Sequence, residues 1–306
     1  MNRYLKFIAL AGVFAWAIAG VARAQTGEVE IRKGVEYAVH DGVRLTGDAY
    51  LPRAAGKHPV IVAIHGGGWQ AGGPIGYQFW GPYLAQRGYA VFAVSYRLSK
   101  AGQKNFPEAL HDVRAAIQFV KGNAADMRLD PERVGVIGDS AGGHLAALVA
   151  LAGDHPNFAG AYKSDPHAGL SARVKVAIPV YGVFDLYQQW QHDLTSRPRD
   201  SIVEKHLGVS AIDDKRPYFD ASPLSYVSSK NNHTSFFVVW GTQDDIVDVE
   251  TQSKAFMLAL KQASYFVRPV IVDGAPHFWV WDPVSEPESH NGFLAPRLLR
   301  FLQQRL

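Results

Sequence analysis

The chain of 306 residues contains no cysteine. A disulfide scaffold and a lipid-anchored N-terminal cysteine are both excluded, so stability must rest on a packed core. Excess charge is also nearly absent. Of the 31 Lys and Arg residues, Arg3, Lys6 and Arg23 lie in the first 24 positions, which leaves 28 to face 28 Asp and Glu. No basic run or stripe occurs, so a nucleic-acid partner has no electrostatic support. Long apolar runs are missing as well. The N-terminal one, Phe7 to Val21, has 15 residues, short of the roughly 20 needed to span a bilayer. Twelve histidines are present, yet none stands in His-Glu-x-x-His or another metal-binding spacing, which argues against a metallohydrolase. No internal repeat or low-complexity linker is visible.

That apolar run follows a basic start and precedes "ARA" before Gln25. The pattern is that of a secretory signal over residues 1–24, cleaved after Ala24, and it predicts a periplasmic or secreted protein without a stable membrane anchor. Residues 25–306 remain for one domain, and a composition of 47% hydrophobic and 19% charged residues suits a sizeable core. "VEYAVHDGVRLTGDAYLP" reads as a hairpin turning at Asp41-Gly42. Six apolar strands follow: "PVIVAI", "YAVFAVS", "RVGVIG", "VKVAIPV", "SFFVVWG" and "YFVRPVIV". Helical patterns alternate with them, so the expected class is α/β, a mostly parallel central sheet with helices on both faces. A cap-like insertion is expected around residues 186–229. Reactive groups in such sheets collect beyond the strand C-termini.

In "RVGVIGDSAGGHLAALVA" a strand becomes a helix at Ser140, with Gly138 and Gly142 two residues to either side. This Gly-x-Ser-x-Gly pattern is a nucleophile elbow, in which small neighbours allow a strained, exposed serine. A serine needs a base. His277, in "DGAPHFWV", is the histidine that directly follows the last strand. "GTQDDIVD" offers Asp244 and Asp245 after the preceding strand, while Asp185 follows an earlier strand and reads as a loop-tying carboxylate. Asp139 abuts the nucleophile and reads as structural. The order Ser140, Asp244, His277 is the one this fold uses. "HGGGWQAGGPIG" packs six glycines between Gly66 and Gly76. It lacks the Lys-Ser/Thr of a phosphate loop, and as an oxyanion loop it would offer the N–H groups of Gly67 and Gly68 beside that of Ala141. His65 is expected to tie this loop down. Trp69, Trp190, Phe278 and Trp279 are candidate walls of a substrate pocket, with Tyr187 and Trp281 nearby.

"HGGGW", "GDSAGG", "GTQDDIV" and "GAPH", in this order, resemble the α/β-hydrolase superfamily of serine esterases over nearly the whole chain after residue 24. The first two are similar to the hormone-sensitive-lipase-like branch. "GTQDDIVD", "SYRL" and "ASPLSYV" look more like the branch of carbohydrate acetyl- and feruloyl-type esterases, and that branch's Gly-x-x-Asp-x-x-Val places the acid at Asp244. The resemblance implies a carboxylic-ester hydrolase that forms an acyl-enzyme, with a small-molecule or carbohydrate-linked ester as the expected substrate; the triad chemistry needs no cofactor, and the bulky aromatics around the site point to short acyl groups. A prolyl-oligopeptidase-like peptidase or amidase, or an inactive binding protein on the same fold, are the alternatives.

Overall fold

The computed structural model describes residues 27–100 and 102–306. The expected signal segment, residues 1–24, lies outside them. Among the described residues no helix is long and apolar enough to cross a membrane.

In chain order the elements are β1 (Val29–His40), β2 (Val43–Pro52), β3 (His58–Ile64), α1 (Trp80–Ala85), β4 (Ala90–Val94), α2 (Glu108–Gly122), β5 (Leu129–Asp139), α3 (Ala141–Ala152), α4 (Pro156–Ala159), β6 (Val176–Val180), α5 (Leu186–Ser196), α6 (Ile202–Leu207), α7 (Arg216–Ala221), β7 (Ser235–Gly241), α8 (Ala255–Gln262), β8 (Val267–Val272) and α9 (His290–Arg305). The strands form one sheet in the order β1-β2-β4-β3-β5-β6-β7-β8. β1 and β2 pair antiparallel, as do β2 and β4, and the rest of the sheet is parallel. Asp41 and Gly42, at φ 49° and 78°, make the hairpin turn. Both central residues at positive φ match the twist of the strands they join.

Successive side chains of a strand point to opposite faces, and the core divides accordingly. Val60, Val62 and Ile64 of β3 join Phe236 and Val238 of β7 beneath α2, α3 and α8. Ile61 and Ala63 join Phe237 and Val239 on the other face, against α1 and α9. Both faces are thus covered, which explains why these strands read as unbroken apolar runs. Nearer the hairpin, His40 is fully buried, with Nδ1 2.6 Å from Asp112 and Nε2 2.8 Å from Asp165. Burial works against a charged His40, but the two carboxylates outweigh it and hold its pKa above the ordinary value. Asp112 also accepts from Arg97, which fixes the start of a segment that braces the site.

One expected helix is shorter than the sequence suggests. "YQFWGPYLAQRG" gives a 3-10 turn ending at Tyr77 and then the six residues of α1. Gly81 and Pro82 are poor helix formers, and Gly81 is there for packing: a Cβ would sit 2.4 Å from the Tyr50 ring. The segment "VETQSKAFMLALKQ" begins as a π-helical turn over Glu250–Lys254 before α8.

Candidate active site

β5 ends at Asp139 and α3 starts at Ala141, so Ser140 alone makes the turn, at φ 53° and ψ −121°. The flanking glycines are required by close approach. A Cβ on Gly138 would lie 2.1 Å from the carbonyl oxygen of Gly142, and one on Gly142 would lie 2.0 Å from that of Ile64. The strand-to-helix turn is therefore pressed against the end of β3 with no room for a methyl group. Ser140 N–H donates to Val180 of the adjacent strand at 2.9 Å. The strained serine is held from both sides.

His277 Nε2 lies 2.9 Å from Ser140 Oγ, and His277 Nδ1 lies 2.7 Å from Asp244 Oδ2. The side chains of His277 and Asp244 are each 1% exposed. The other oxygen of Asp244 accepts from the backbone N–H groups of Ile246 and Val247, at 3.0 and 2.9 Å. Asp245 is exposed and points its charge to solvent. Asp185 sits at the N-terminus of α5, where it accepts from Tyr187 and Gln188 and caps the helix. The two adjacent acids are distinguished by this geometry: only Asp244 meets the imidazole.

The glycine loop after β3 approaches the same serine. Gly67 and Gly68 lie at φ 111° and 59°, in the region that favours glycine. Among the described residues neither N–H has an acceptor, and the N–H of Ala141, in the first turn of α3, has none either. His65 Nδ1 donates to the Gly66 carbonyl at 2.7 Å, and burial pushes its pKa down to about 4, so it is a neutral tie. Asp139 works from below. It accepts from Gly66 N–H and Tyr77 O–H, both at 3.1 Å, and from the Trp281 indole at 3.0 Å. Burial pushes its carboxyl up to about 6 against the pull of those donors.

Sequence reasoning alone misses a second set of braces. Trp69 follows the loop glycines at φ 58°. Its carbonyl accepts from Ser99 N–H at 2.8 Å and from the Asn105 amide at 3.2 Å. Its indole N–H donates to His144 Nδ1 at 3.0 Å, and its ring stacks on His206 at 4.4 Å. His144 Nε2 in turn donates to the Ala221 carbonyl at 2.8 Å. Burial lowers the pKa of both histidines, His144 to about 4. They act as uncharged spacers between the loop, α3 and the insertion. Histidines in a helix pattern carry no mark of such a role, because each partner comes from a distant segment.

A narrow cleft of about 40 Å³ opens beside Ser140. Gly68, Trp69, Ala141 and Val183 form one side, while α5, α6 and the loop after Asp244 supply Gln189, Ile202, Val203, Ile246 and Val247. Of the four expected pocket aromatics, Trp69 lines it. Trp190 does not: it is 6% exposed and its indole donates to Glu204 at 2.7 Å. Trp279 is likewise buried, 2% exposed, in the core cluster against α9 on the other face of the sheet. Both expectations are corrected by the same physics, since a large ring removed from water gains more by filling core than by walling a wet cleft. Phe278, at φ 67° and 64% exposed, stands edge-on to His277 at 4.4 Å, outside the cleft.

A family model described as BD-FAE matches residues 48–260. The chain belongs to that family. Among curated proteins, it is 31% identical over 226 residues to a probable carboxylic ester hydrolase, LipM, of Mycobacterium tuberculosis, covering 72% of this chain and 48% of that one. It is 33% identical over 210 residues to the esterase LipQ of the same organism, covering 68% of this chain and 47% of the other. The chain thus spans about half the length of these relatives. Among solved structures, a thermophilic esterase, Est2, from Thermogutta terrifontis with propionate bound superposes with a TM-score of 0.70 at 25% identity, covering 92% of this chain and 95% of that one. The BD-FAE domain described above is an α/β-hydrolase of the hormone-sensitive-lipase-like branch.

Proposed function

We propose that this protein is a serine hydrolase of carboxylic esters with short acyl groups. The observation that carries the reading is the unbroken line of Ser140, His277 and Asp244, at 2.9 and 2.7 Å, beneath a loop whose Gly67 and Gly68 N–H groups have no acceptor among the described residues. His277 Nε2 takes the proton of Ser140 as Oγ attacks the ester carbonyl. Asp244 accepts from Nδ1, fixes the tautomer, and stabilises the imidazolium that forms. The tetrahedral oxyanion is held by the N–H groups of Gly67, Gly68 and Ala141. Collapse returns the proton from His277 to the leaving alcohol and leaves the acyl group on Ser140. Water, activated by the same imidazole, then releases the acid. No step requires a cofactor.

The short-acyl part is supported by the size of the cleft, about 40 Å³, which is room for three or four heavy atoms beyond the carbonyl. The esterase Est2 holds propionate in its solved structure, in keeping with that limit. A periplasmic or extracellular location is supported by the basic start, apolar run and "ARA" of residues 1–24, and N-terminal sequencing of exported protein would then begin at Gln25. A fluorophosphonate probe should label the purified protein at Ser140 and block hydrolysis of nitrophenyl acetate and butyrate. A folded protein that neither reacts with the probe nor turns over these esters would refute the assignment.

A further inference from the structure

An ester has two ends, and the cleft beside Ser140 accommodates one of them. On the ester-hydrolase reading the acyl chain enters between Gly68, Val183, Ile202 and Ile246, and about 40 Å³ leaves no room there for the alcohol as well. The alcohol must lie by His277 Nε2, since that nitrogen returns the proton to it. The imidazole is enclosed elsewhere. Nδ1 meets Asp244 at 2.7 Å, and the buried ring of Tyr181 packs against it at a centroid distance of 4.4 Å. On the solvent side stands Phe278, 64% exposed and edge to face with the imidazole at 4.4 Å. A leaving alcohol at Nε2 therefore has this ring as a neighbour.

Packing does not explain the backbone of Phe278. Its φ of 67° lies in the left-handed region, where a bulky side chain is an outlier and glycine costs least. No burial compensates, because most of the ring faces water. Strain kept at an exposed position beside a reacting group points to use rather than to folding. Trp281, on the same loop, is 36% exposed and donates its indole N–H at 3.0 Å to Asp139, the neighbour of Ser140. The turn after the glycine loop runs beside it: a Cβ on Gly76 would lie 2.8 Å from the indole, and Ile75 is 55% exposed. None of these residues lines the acyl cleft. Phe278 has no hydrogen-bonding side-chain group, and that of Trp281 is engaged, so a sugar alcohol would find no partner for its hydroxyls on either ring. A flat apolar ring suits both.

We infer that Phe278 selects esters whose alcohol carries an aromatic ring, which packs against it while His277 protonates the leaving oxygen. The inference rests on the ester-hydrolase reading and adds the class of alcohol to it. Phe278 is then a specificity-determining residue for the alcohol end, on the opposite side of the serine from the residues that bound the acyl chain.

Benzyl acetate and allyl acetate test it. Their alcohols are nearly equal in acidity, so the quality of the leaving group is matched and the ring is the difference. The full-length protein should show a kcat/KM at least about tenfold higher for the benzyl ester, the worth of one well-packed aromatic pair. In Phe278→Gly that ratio should fall to within about threefold of one, while Tm is held or raised, because glycine suits this backbone. A lower Tm with the ratio unchanged would make Phe278 a brace of His277 and overturn the inference. The comparison in the unmutated protein stands even if the variant fails to fold. Equal and ready hydrolysis of the benzyl and allyl esters, or a higher kcat/KM on glucose 6-acetate than on either, overturns the inference and leaves the esterase reading intact. Inertness towards all three esters overturns both.

Discussion

The rim of the sheet and the insertion over it are built on different principles. At the rim, backbone meets backbone: Gly142 lies so close to Ile64 that a Cβ would come within 2.0 Å of its carbonyl oxygen, and Asp139 joins the β3 loop to α1's approach through Gly66 and Tyr77. In the insertion, α5, α6 and α7 have 11, 6 and 6 residues, and local caps hold two of them, Asp185 before α5 and Ser201 before α6. Its outer surface shows Ile212 at 81% and Phe219 at 58% exposure, while its inner side buries Val203, His206 and Tyr218. The rim allows almost no substitution without moving the sheet. The insertion lets a side chain change while its helix stays in place. On the function proposed above, reaction chemistry would sit on the rim and acyl selectivity on the insertion, the division expected when rigid elements carry the reacting groups and loops shape what reaches them.

Rim substitutions should then destroy turnover without changing which acyl chain is preferred. The largest effect is expected from Ser140→Ala, which removes the nucleophile and takes from the fold one hydrogen bond, that between Ser140 Oγ and His277. A comparable serine hydrolase loses about a million-fold in kcat on such a change. Thermal unfolding should be unaltered, and wild-type rates from a folded variant would remove Ser140 from the mechanism.

The next effect separates two neighbouring carboxylates. Asp244→Asn keeps the shape of the side chain but replaces the charge that supports His277, and about ten-thousand-fold in kcat is the loss expected for the wrong tautomer. Asp245→Asn changes an exposed group and should leave kcat within a fewfold of wild type. Steady-state rates for the pair decide it. A reversed ranking would mean that the loop after β7 takes another register when substrate is bound.

The rim was more legible in the sequence than the insertion, and the reason is physical. Unbroken apolar strands have few other ways to fold, and Gly138, Ser140 and Gly142 mark a turn in which steric exclusion leaves little choice. The change from strand to helix read at Ser140 falls where β5 ends at Asp139 and α3 begins at Ala141. Ser140, Asp244 and His277 could be placed in loops beyond strand ends because the topology sends all such loops to one edge. The braces were not legible: Trp69, His144, Asn105 and His206 come from four segments, and no spacing announces a contact that only tertiary packing makes. The aromatic residues show the same limit. Trp190 and Trp279 read as pocket walls in the sequence, and the fold places both in the core instead.

The smallest effect belongs to the insertion and bears directly on the comparison. Ile202, the first residue of α6, lines the cleft, and its Cγ2 lies 3.0 Å from where a Cβ on Gly68 would stand. Ile202→Ala deletes three carbons from that wall. The helix should survive, because Ser201 still caps it and Gly208 still closes it at φ 78°, and alanine is the better helix former. The extra space should admit a longer acyl chain. Each added methylene that becomes buried is worth about 0.8 kcal/mol, close to fourfold in kcat/KM. Nitrophenyl esters from two to sixteen carbons measure it. Wild type should peak at four carbons or fewer, and the variant should favour six over four by up to about fifteenfold more than wild type does. Turnover of acetate should barely change, since the oxyanion donors and the Ser140–His277 pair are untouched. A wild-type maximum at eight carbons or beyond would show that acyl chains bypass this cleft. If Ile202→Ala instead lowered every rate equally, α6 would be a brace of the oxyanion loop rather than a wall of the acyl site, and the division between rim and insertion would fall.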